Sequence, residues 1–230
     1  MTVRTEWWIL LLAMTGGALL SSAATRAVAA PPPWRELLQD HGAPDWRGWK
    51  SPGVPAGWRV EGGVLSKEGP VDDLVTNDSF KDFELTLEWK IGKGGNSGIF
   101  YRAARDYDRI YWSGPEYQLL DDANAPDGKN PLTSAAAAYG LYGAPPGVVL
   151  GFGRWNETRI VVQGTHVEHW LNGRKVVDYE LNSPEWRSKV ASSKFSAYPK
   201  YGASAAGMIG LQGDHAGALA IRRLRIRELP

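Results

Sequence analysis

Short runs in which apolar and polar residues alternate are the feature that most limits the fold of this chain. In FELTLEWKI, residues 83–91, every second residue from Phe83 to Ile91 is apolar, and each residue between them is polar or charged. A period of two is that of an antiparallel strand with one buried face. Three further runs, TRIVVQ, HVEHWL and KVVDYEL, follow residue 157, and Asn172–Gly173 separates the last two. Asn-Gly favours a tight hairpin because both residues tolerate positive φ.

These runs and the turns between them predict about ten short strands. A chain of 230 residues fits one sizeable domain. Hairpin-linked strands without a long amphipathic helix indicate an all-β sandwich or jelly roll. Within it, PEWRSK is expected to form a helical turn, the change of phase at Arg222–Arg223 to mark a bulge, and residues 123–154 to be irregular.

The N-terminus is typical of an export signal. Arg4 precedes the apolar run WWILLLAMTGGALL, and AVAA supplies small residues for cleavage after Ala29. We therefore predict a signal peptide over residues 1–29, a linker over 30–33 and a domain over 34–230. An uncleaved membrane anchor is the alternative. The chain has no cysteine, so neither a lipidation site nor a disulfide is available.

Charge narrows the class of partner. Cleavage after Ala29 removes Arg4, Arg26 and Glu6 and leaves 24 basic and 24 acidic residues. A neutral mature domain argues against nucleic acid or an anionic membrane as the main partner. We expect a bacterial protein, periplasmic or extracellular, that is not stably inserted in a membrane once the signal is removed. The sequence does not indicate its oligomeric state.

Polar residues interrupt two neighbouring strand patterns, GGNSGIFYRA and GPEYQLLDD. Alternation places Asn96 on the same face as Arg102, with Gly98 between them, and Glu116 on the same face as Gln118. If the two faces coincide, the sheet carries a polar patch with a glycine gap. Such a patch suits a hydrogen-bonding ligand such as a sugar. The alternative is a solvated face with a cross-strand Glu116–Arg102 ion pair.

Other residues give weaker patterns. His169 lies in HVEHWLNG and His215 in LQGDHAG, where each fits either a site residue or an ordinary strand or loop histidine. DDANAPDGKN contains oxygen ligands, but their spacing differs from that of an EF-hand. A regular strand places Glu116 and Asp121 on opposite faces, so they do not form the carboxyl pair of an ordinary glycosidase. One strong base with polar neighbours is the better interpretation.

Several motifs in this order resemble one known family. FELTLEWKIGKGGNSGIFYR, PEYQLLDD, RWNETRIVVQGTHVEHWLNGRKV, SKF, GMIGLQGD and IRRLRI are similar to those of the 3-keto-disaccharide hydrolase domain family, from about Trp34 to Leu229. The resemblance implies a concanavalin A-like jelly roll of two antiparallel sheets in an exported protein. It also implies cleavage of glycosides whose sugar is oxidised at C3. The chain departs from the family pattern at Arg154 and at Arg223, where other residues are usual.

The resemblance also suggests roles for individual residues. Glu116 would be the base that removes the C2 proton, after which the C1 substituent leaves by elimination and water adds back. Sugar or enolate oxygens would be bound by a set of polar residues on the matching motifs: Asn96, Arg102, Gln118, Asn156 and Gln212. His215, which follows the motif GMIGLQGD in the chain, is added as a further candidate for substrate binding. His169 or His215 would assist the leaving group.

The resemblance assigns no certain cofactor. A divalent metal in place of the arginine is an alternative electrophile, and Asp121 could then be a ligand. Three other functions remain open: a carbohydrate-binding domain without catalysis, a two-carboxylate glycosidase, and a structural envelope protein.

Overall fold

Strands account for most of the regular structure. The computed structural model describes residues 1–2 and 32–230, so residues 3–29 of the predicted signal peptide and residues 30–31 of the linker lie outside the described residues. Thirteen strands occur within that part of the chain: β1 (Arg35–Glu36), β2 (Trp46–Gly48), β3 (Arg59–Glu61), β4 (Val64–Lys67), β5 (Leu74–Thr76), β6 (Phe83–Ile91), β7 (Asn96–Ala103), β8 (Glu116–Leu120), β9 (Asn156–Gln163), β10 (His166–Leu171), β11 (Arg174–Glu180), β12 (Met208–Leu211) and β13 (Leu219–Glu228). One α-helix, α1 (Pro184–Ala191), and 3-10 turns at Ile110–Trp112, Pro126–Lys129 and Lys194–Ala197 lie between strands.

The strands form two antiparallel sheets, as expected. The larger sheet has the order β11-β10-β9-β6-β13-β4-β3, with β1 also paired to β13. The smaller sheet has the order β2-β5-β12-β7-β8. Residues of both sheets belong to one buried apolar cluster, to which Leu85 and Ile160 contribute from one side and Ile99 and Leu119 from the other. The core therefore lies between the sheets, and the outer face of the smaller sheet is left to build a site.

Local predictions can be compared directly with this fold. Asn172 and Gly173 both have positive φ, of 49° and 78°, in the β10–β11 hairpin. Register shifts between Arg222 and Arg225, and Arg223 has φ of 50°, so the predicted bulge is confirmed. Helix α1 confirms the helical turn, with Ser183 as N-cap accepting from Trp186 N. The described residues form thirteen strands, whereas about ten were predicted. The prediction was low because alternation cannot be recognised in strands as short as β1.

A second bulge, in β7, was not expected. Leu211 and Gly210 pair with Ile99 and Phe100, but Met208 pairs with Ala103, so β7 contains one extra residue. Arg102 occupies the left-handed region at φ 53°. Because a bulge reverses the alternation beyond it, Arg102 leaves the face that carries Asn96 and Gly98.

The long segment after β8 is irregular but packed. Ala136 N donates to Gln118 O at 2.8 Å, and Tyr139 N donates to Glu116 O at 3.0 Å. Residues 135–138 are buried, so this segment covers the free edge of β8. Among the helices in the described residues, none has the length and apolar character to cross a membrane.

Candidate active site

A cavity of about 380 Å³ opens on the outer face of the smaller sheet. β8 contributes Glu116 and Gln118, β7 contributes Asn96, and Gln212 follows β12. Gly98 lies directly opposite Gln118 in the β7–β8 register, and Phe100 lies opposite Glu116. The structure thus brings the two polar strand faces together, with a glycine gap between them. We call this space the Glu116 cavity.

Three amide oxygens at the Glu116 cavity are buried and unpaired. Asn96 Oδ1, Gln118 Oε1 and Gln212 Oε1 have no hydrogen-bond partner among the described residues. Gln118 is held in place by its Nε2, which donates to Thr133 O at 3.2 Å. Gln212 is fixed through its backbone, since its N–H donates to Gly98 O and its C=O accepts from Ser97 Oγ. Buried acceptors without partners are costly unless a ligand supplies donors, as sugar hydroxyls do.

Glu116 has the electrostatic character of a general base. Only 8% of the residue is exposed. Burial raises the pKa of its carboxyl to about 8, although the nearby Lys194 ammonium opposes this, and Asp214, Asp73 and Asp127 add to it. A carboxyl with a pKa this close to neutrality is well matched to proton transfer.

Lys194 supplies the positive charge of the Glu116 cavity. Its Nζ lies 4.4 Å from the centre of the Tyr139 ring, and both residues line the cavity. Ser193 is the N-cap of the 3-10 turn Lys194–Ala197, and its hydroxyl accepts from Phe195 N. Phe195 stacks on Tyr201 at 4.1 Å between ring centres. This packing presents a cation to the cavity from a segment far from β8 in sequence.

The loop after β12 forms one side of the cavity and is held by a buried lysine. Lys67 is 2% exposed, and its ammonium donates to His215 O at 2.7 Å and to Gly217 O at 3.3 Å. This anchors the loop that carries Asp214 and His215 to the cavity. His215 Nε2 lies 3.9 Å from Asp214 Oδ1, and the side chain is 44% exposed.

Five of the predicted site residues therefore meet around one cavity: Asn96, Glu116, Gln118, Gln212 and His215. Sequence reasoning missed the residues that come from the segments between strands: Tyr111, Asp127, Tyr139, Lys194, Phe195, Tyr198 and Asp214. The long irregular segment contributes Asp127 and Tyr139, and the motif GMIGLQGD ends at Asp214. The family motif SKF, residues 193–195, contains Lys194, although the sequence analysis assigned it no role.

Arg102 requires a correction. Its guanidinium donates to Lys81 O at 3.0 Å and to Gly164 O, and lies 3.5 Å from Asp82. It therefore joins loops at the margin of the larger sheet and does not line the Glu116 cavity. The cross-strand Glu116–Arg102 ion pair is also absent from the described residues. The β7 bulge, invisible to a period-two argument, is the cause.

His169 also requires a correction. It is fully buried on the core face of β10, and burial lowers the pKa of its imidazole to about 4. The neutral ring donates from Nδ1 to Ala136 O at 2.9 Å, so Nε2 accepts from the Tyr101 hydroxyl at 2.9 Å. With both nitrogens engaged between the sheets, His169 cannot assist a leaving group in the cavity.

Asn156 and Asp121 have structural contacts instead of cavity positions. Asn156 Oδ1 accepts from Leu150 N at 2.7 Å, and its Nδ2 donates to Leu150 O at 3.1 Å. Asp121 Oδ2 accepts from Gly94 N at 2.8 Å and from Asn124 Nδ2 at 2.7 Å. Each side chain thus fastens a loop, which its sequence motif alone did not reveal.

Asp121 does not lie in a cluster of His, Asp or Glu side chains that could share a metal ion within the described residues. Within residues 32–230, the group of three metal-binding side chains close enough to share an ion is His166, Glu168 and Asp178, which excludes Asp121. That group lies on β10 and β11, where Lys175 already contacts Glu168 at 3.2 Å. The proposal of Asp121 as a metal ligand is therefore not supported by its position.

Comparisons with known proteins agree with this fold. Residues 33–227 match the model of the 3-keto-alpha-glucoside-1,2-lyase-like domain. A 3-keto-disaccharide hydrolase from Bacteroides thetaiotaomicron is 36% identical over 216 residues, covering 80% of this chain and 74% of the relative.

Solved structures point the same way. A candidate glycosyl hydrolase from Parabacteroides distasonis superposes with a TM-score of 0.80 at 31% identity, covering 86% of this chain and 94% of that one. A second such protein from the same organism gives 0.72 at 29% identity, covering 86% and 100%. The chain therefore belongs to the 3-keto-alpha-glucoside-1,2-lyase-like domain family.

Proposed function

We propose that this protein cleaves 3-keto-glycosides, 3-keto-disaccharides among them, with Glu116 as the base that removes the C2 proton. The observation that carries the proposal is a buried carboxyl of raised pKa beside three unpaired amide oxygens in one cavity. Membership of the family and the name of the Bacteroides relative support a keto-sugar substrate.

The chemistry follows from the ketone at C3, which acidifies the proton on C2. The Glu116 carboxylate takes that proton, and the bonding electrons form an enolate whose charge rests on the C3 oxygen. When the C3 carbonyl forms again, a C1–C2 double bond appears and the C1–oxygen bond breaks. The departing oxygen takes the proton that the Glu116 carboxyl holds, so the alcohol leaves and the carboxylate is restored. Water then adds its hydroxyl at C1, and C2 takes a proton from solvent, which gives net hydrolysis. An elimination of this kind accounts for a lyase and a hydrolase occurring among the names of similar proteins.

Each part of the Glu116 cavity has a role in this scheme. The amide oxygens of Asn96, Gln118 and Gln212 accept from sugar hydroxyls and orient the ring. Lys194 replaces Arg102 as the cation that stabilises the enolate oxygen, because positive charge held where negative charge develops lowers the barrier. Tyr139 keeps that ammonium in place.

A carbohydrate-binding domain without catalysis is the weaker alternative. A binding site gains nothing from a carboxyl that is buried at the cost of a raised pKa. An ordinary glycosidase would need a second acid at a defined separation from Glu116. It would also cleave sugars that lack the ketone, which makes the two enzymes separable by substrate.

The test compares 3-keto-trehalose with trehalose in heavy water, with and without a chelator, for the wild type, Glu116→Gln and the exposed control Glu61→Gln. We expect cleavage of the keto-sugar alone, deuterium at C2 of the product, and loss of both in Glu116→Gln only. Cleavage of trehalose itself, or product without deuterium at C2, would overturn the elimination. Loss of activity with the chelator would add a metal to the scheme.

We also propose that the protein is exported after cleavage following Ala29. The apolar run WWILLLAMTGGALL and the small residues AVAA support this. N-terminal sequencing of the protein recovered from the periplasm or medium tests it, and recovery of an intact Met1 in the membrane fraction would contradict it.

A further inference from the structure

A second cavity adjoins the Glu116 cavity. It has a volume of about 550 Å³, and its lining includes Trp49, Asp72, Asp73 and Trp112. We call it the Trp49 cavity. Asp214 lines both cavities, so they share a wall.

An aromatic pair spans the boundary between the two cavities. Trp112 of the Trp49 cavity stacks on Tyr198 of the Glu116 cavity, with ring centres 5.5 Å apart and planes 21° apart. The 3-10 turn Ile110–Trp112 that carries Trp112 packs over Gly210, where an added Cβ would collide with Ile110. The boundary is therefore built on the same sheet that carries the base.

The lining of the Trp49 cavity suits a neutral sugar ring. Aromatic rings such as Trp49 and Trp112 cover the apolar face of a pyranose, while carboxylates accept from its hydroxyls. Its ionisable side chains comprise four carboxylates and two cations: Asp72, Asp73, Asp108, Asp214, Lys50 and Arg109. An excess of negative charge disfavours a phosphorylated or acidic ligand.

Hydrogen-bonding groups in this cavity are available to a ligand. Asp73 is fixed by one oxygen, which accepts from Gly213 N at 2.8 Å. Trp112 Nε1 is buried and has no partner among the described residues. Asp72 is exposed at the rim, and its side chain makes none of the hydrogen bonds within residues 32–230. The hydroxyls of a sugar could thus donate to the carboxylates of Asp72 and Asp73 and accept from Trp112 Nε1.

Asp73 and Asp214 of the Trp49 cavity also influence the pKa of Glu116. Their charges contribute to the raised pKa of Glu116, so the Trp49 cavity is within electrostatic reach of the reacting ring. Elimination breaks the bond between C1 and the glycosidic oxygen. Because the oxidised ring occupies the Glu116 cavity, the leaving group has to extend from C1 into adjoining space.

We propose that the Trp49 cavity binds the second sugar ring of a 3-keto-disaccharide, the ring that departs. The proposal rests on the proposed function for the place of the oxidised ring, and it adds a selection for disaccharides over glycosides of small alcohols. Trp49 and Asp72 are the residues that would determine this selection, through stacking and through a hydrogen bond to a hydroxyl.

Kinetics with two substrates test the subsite. The ratio of kcat/KM for 3-keto-trehalose to that for methyl 3-keto-glucoside is measured for Asp72→Ala and Trp49→Ala. Loss of one hydrogen bond to a charged group corresponds to about a tenfold fall in this ratio. Asp40→Ala and Trp34→Ala, an exposed acid and a tryptophan outside both cavities, should leave the ratio unchanged. An equal fall for both substrates, or no change, would overturn the subsite.

A binding measurement separates this proposal from the proposed function. In the Glu116→Gln background, calorimetry compares the affinities for the same two sugars with and without Asp72→Ala. Weaker binding of the disaccharide alone supports the subsite, even if the wild type cleaves neither sugar and the proposed function fails. If the Glu116→Gln protein binds both sugars with equal affinity, the subsite proposal is wrong, whereas the proposed cleavage of the keto-sugar is unaffected.

Discussion

Gly98 makes room for the carboxylate of Glu116. A Cβ added at Gly98 would lie 2.8 Å from Glu116 Cδ and closer still to Oε1. The φ of Gly98 is not positive, so the backbone conformation does not require a glycine. A glycine is needed at this position because a side chain would occupy the space of Glu116. The strand β7 thus leaves a gap that the base on β8 fills.

Replacing Gly98 should therefore displace the base without unfolding the protein. In Gly98→Ala the Glu116 side chain has to move by about 1 Å, which costs about a hundredfold in kcat/KM when a catalytic group is misplaced. Steady-state kinetics with a 3-keto-glycoside give this value, and circular dichroism reports the fold. Gly42→Ala, where an added Cβ meets nothing within 4 Å, is the matched control. Unchanged kinetics in Gly98→Ala would show that Glu116 is not held in a unique position.

Stability should depend on pH through Glu116. Its pKa is about 8 in the folded protein and 4.5 as the ordinary value, so the folded state holds the proton more tightly. Stability contributed by this group is present below pH 4.5 and declines as pH rises towards 8. Each unit of pKa shift corresponds to about 1.4 kcal/mol. We expect Glu116→Gln to be more stable than the wild type at pH 9 by on the order of a few kcal/mol.

Urea unfolding at pH 4 and pH 9 measures this difference. The two proteins should have similar stability at pH 4, where the carboxyl is protonated in both states. Glu61→Gln, an exposed glutamate, should match the wild type at both pH values. A stability gap between wild type and Glu116→Gln that is the same at the two pH values would contradict burial of an ionisable base.

Lys194 should set the pH at which the base becomes active. Its ammonium lowers the pKa of Glu116, so Lys194→Met should move the rising limb of the kcat/KM profile to higher pH. The plateau should fall as well, because the enolate loses a stabilising charge. Lys81→Met, at an exposed lysine outside the cavity, provides the control. If the midpoint of the kcat/KM profile does not move in Lys194→Met, the Lys194 ammonium does not affect the pKa of Glu116.

His169 should affect stability and not turnover. In His169→Leu the buried Ala136 O and the Tyr101 hydroxyl lose their partner, at a cost of about 2–4 kcal/mol for two buried hydrogen bonds. The pKa of His169 is lowered from 6.5 to about 4, so wild-type stability is present above pH 6.5 and declines towards pH 4. His169→Leu should lack that decline.

Urea unfolding between pH 4 and pH 7 measures this dependence, and kcat per folded molecule should stay within about twofold of the wild type. A hundredfold fall in kcat of His169→Leu with normal stability would show that His169 takes part in catalysis. Glu116→Gln gives the reverse pattern, with activity lost and the fold kept, and serves as the comparison.

The sequence by itself determined the fold class and the residues on β7 and β8 that could share a face. Alternation between buried and exposed positions is a local property, because successive side chains of a strand point to opposite faces. It therefore located Glu116, Gln118 and Asn96, and the Asn172–Gly173 hairpin. The family motifs added the position of Gln212 and the chemistry of a single base, and the loop LQGDHAG pointed to His215.

Only the tertiary structure decided which face of each strand meets the core and which loops reach the cavity. His169 and Glu116 occupy strands of similar pattern, yet one faces the other sheet and the other faces the cavity. Arg102 was misplaced because one extra residue in β7 reverses the alternation. Lys194 approaches Glu116 from 78 positions away in the chain. These relations depend on the packing of segments distant in sequence, and a local pattern contains no information about such packing.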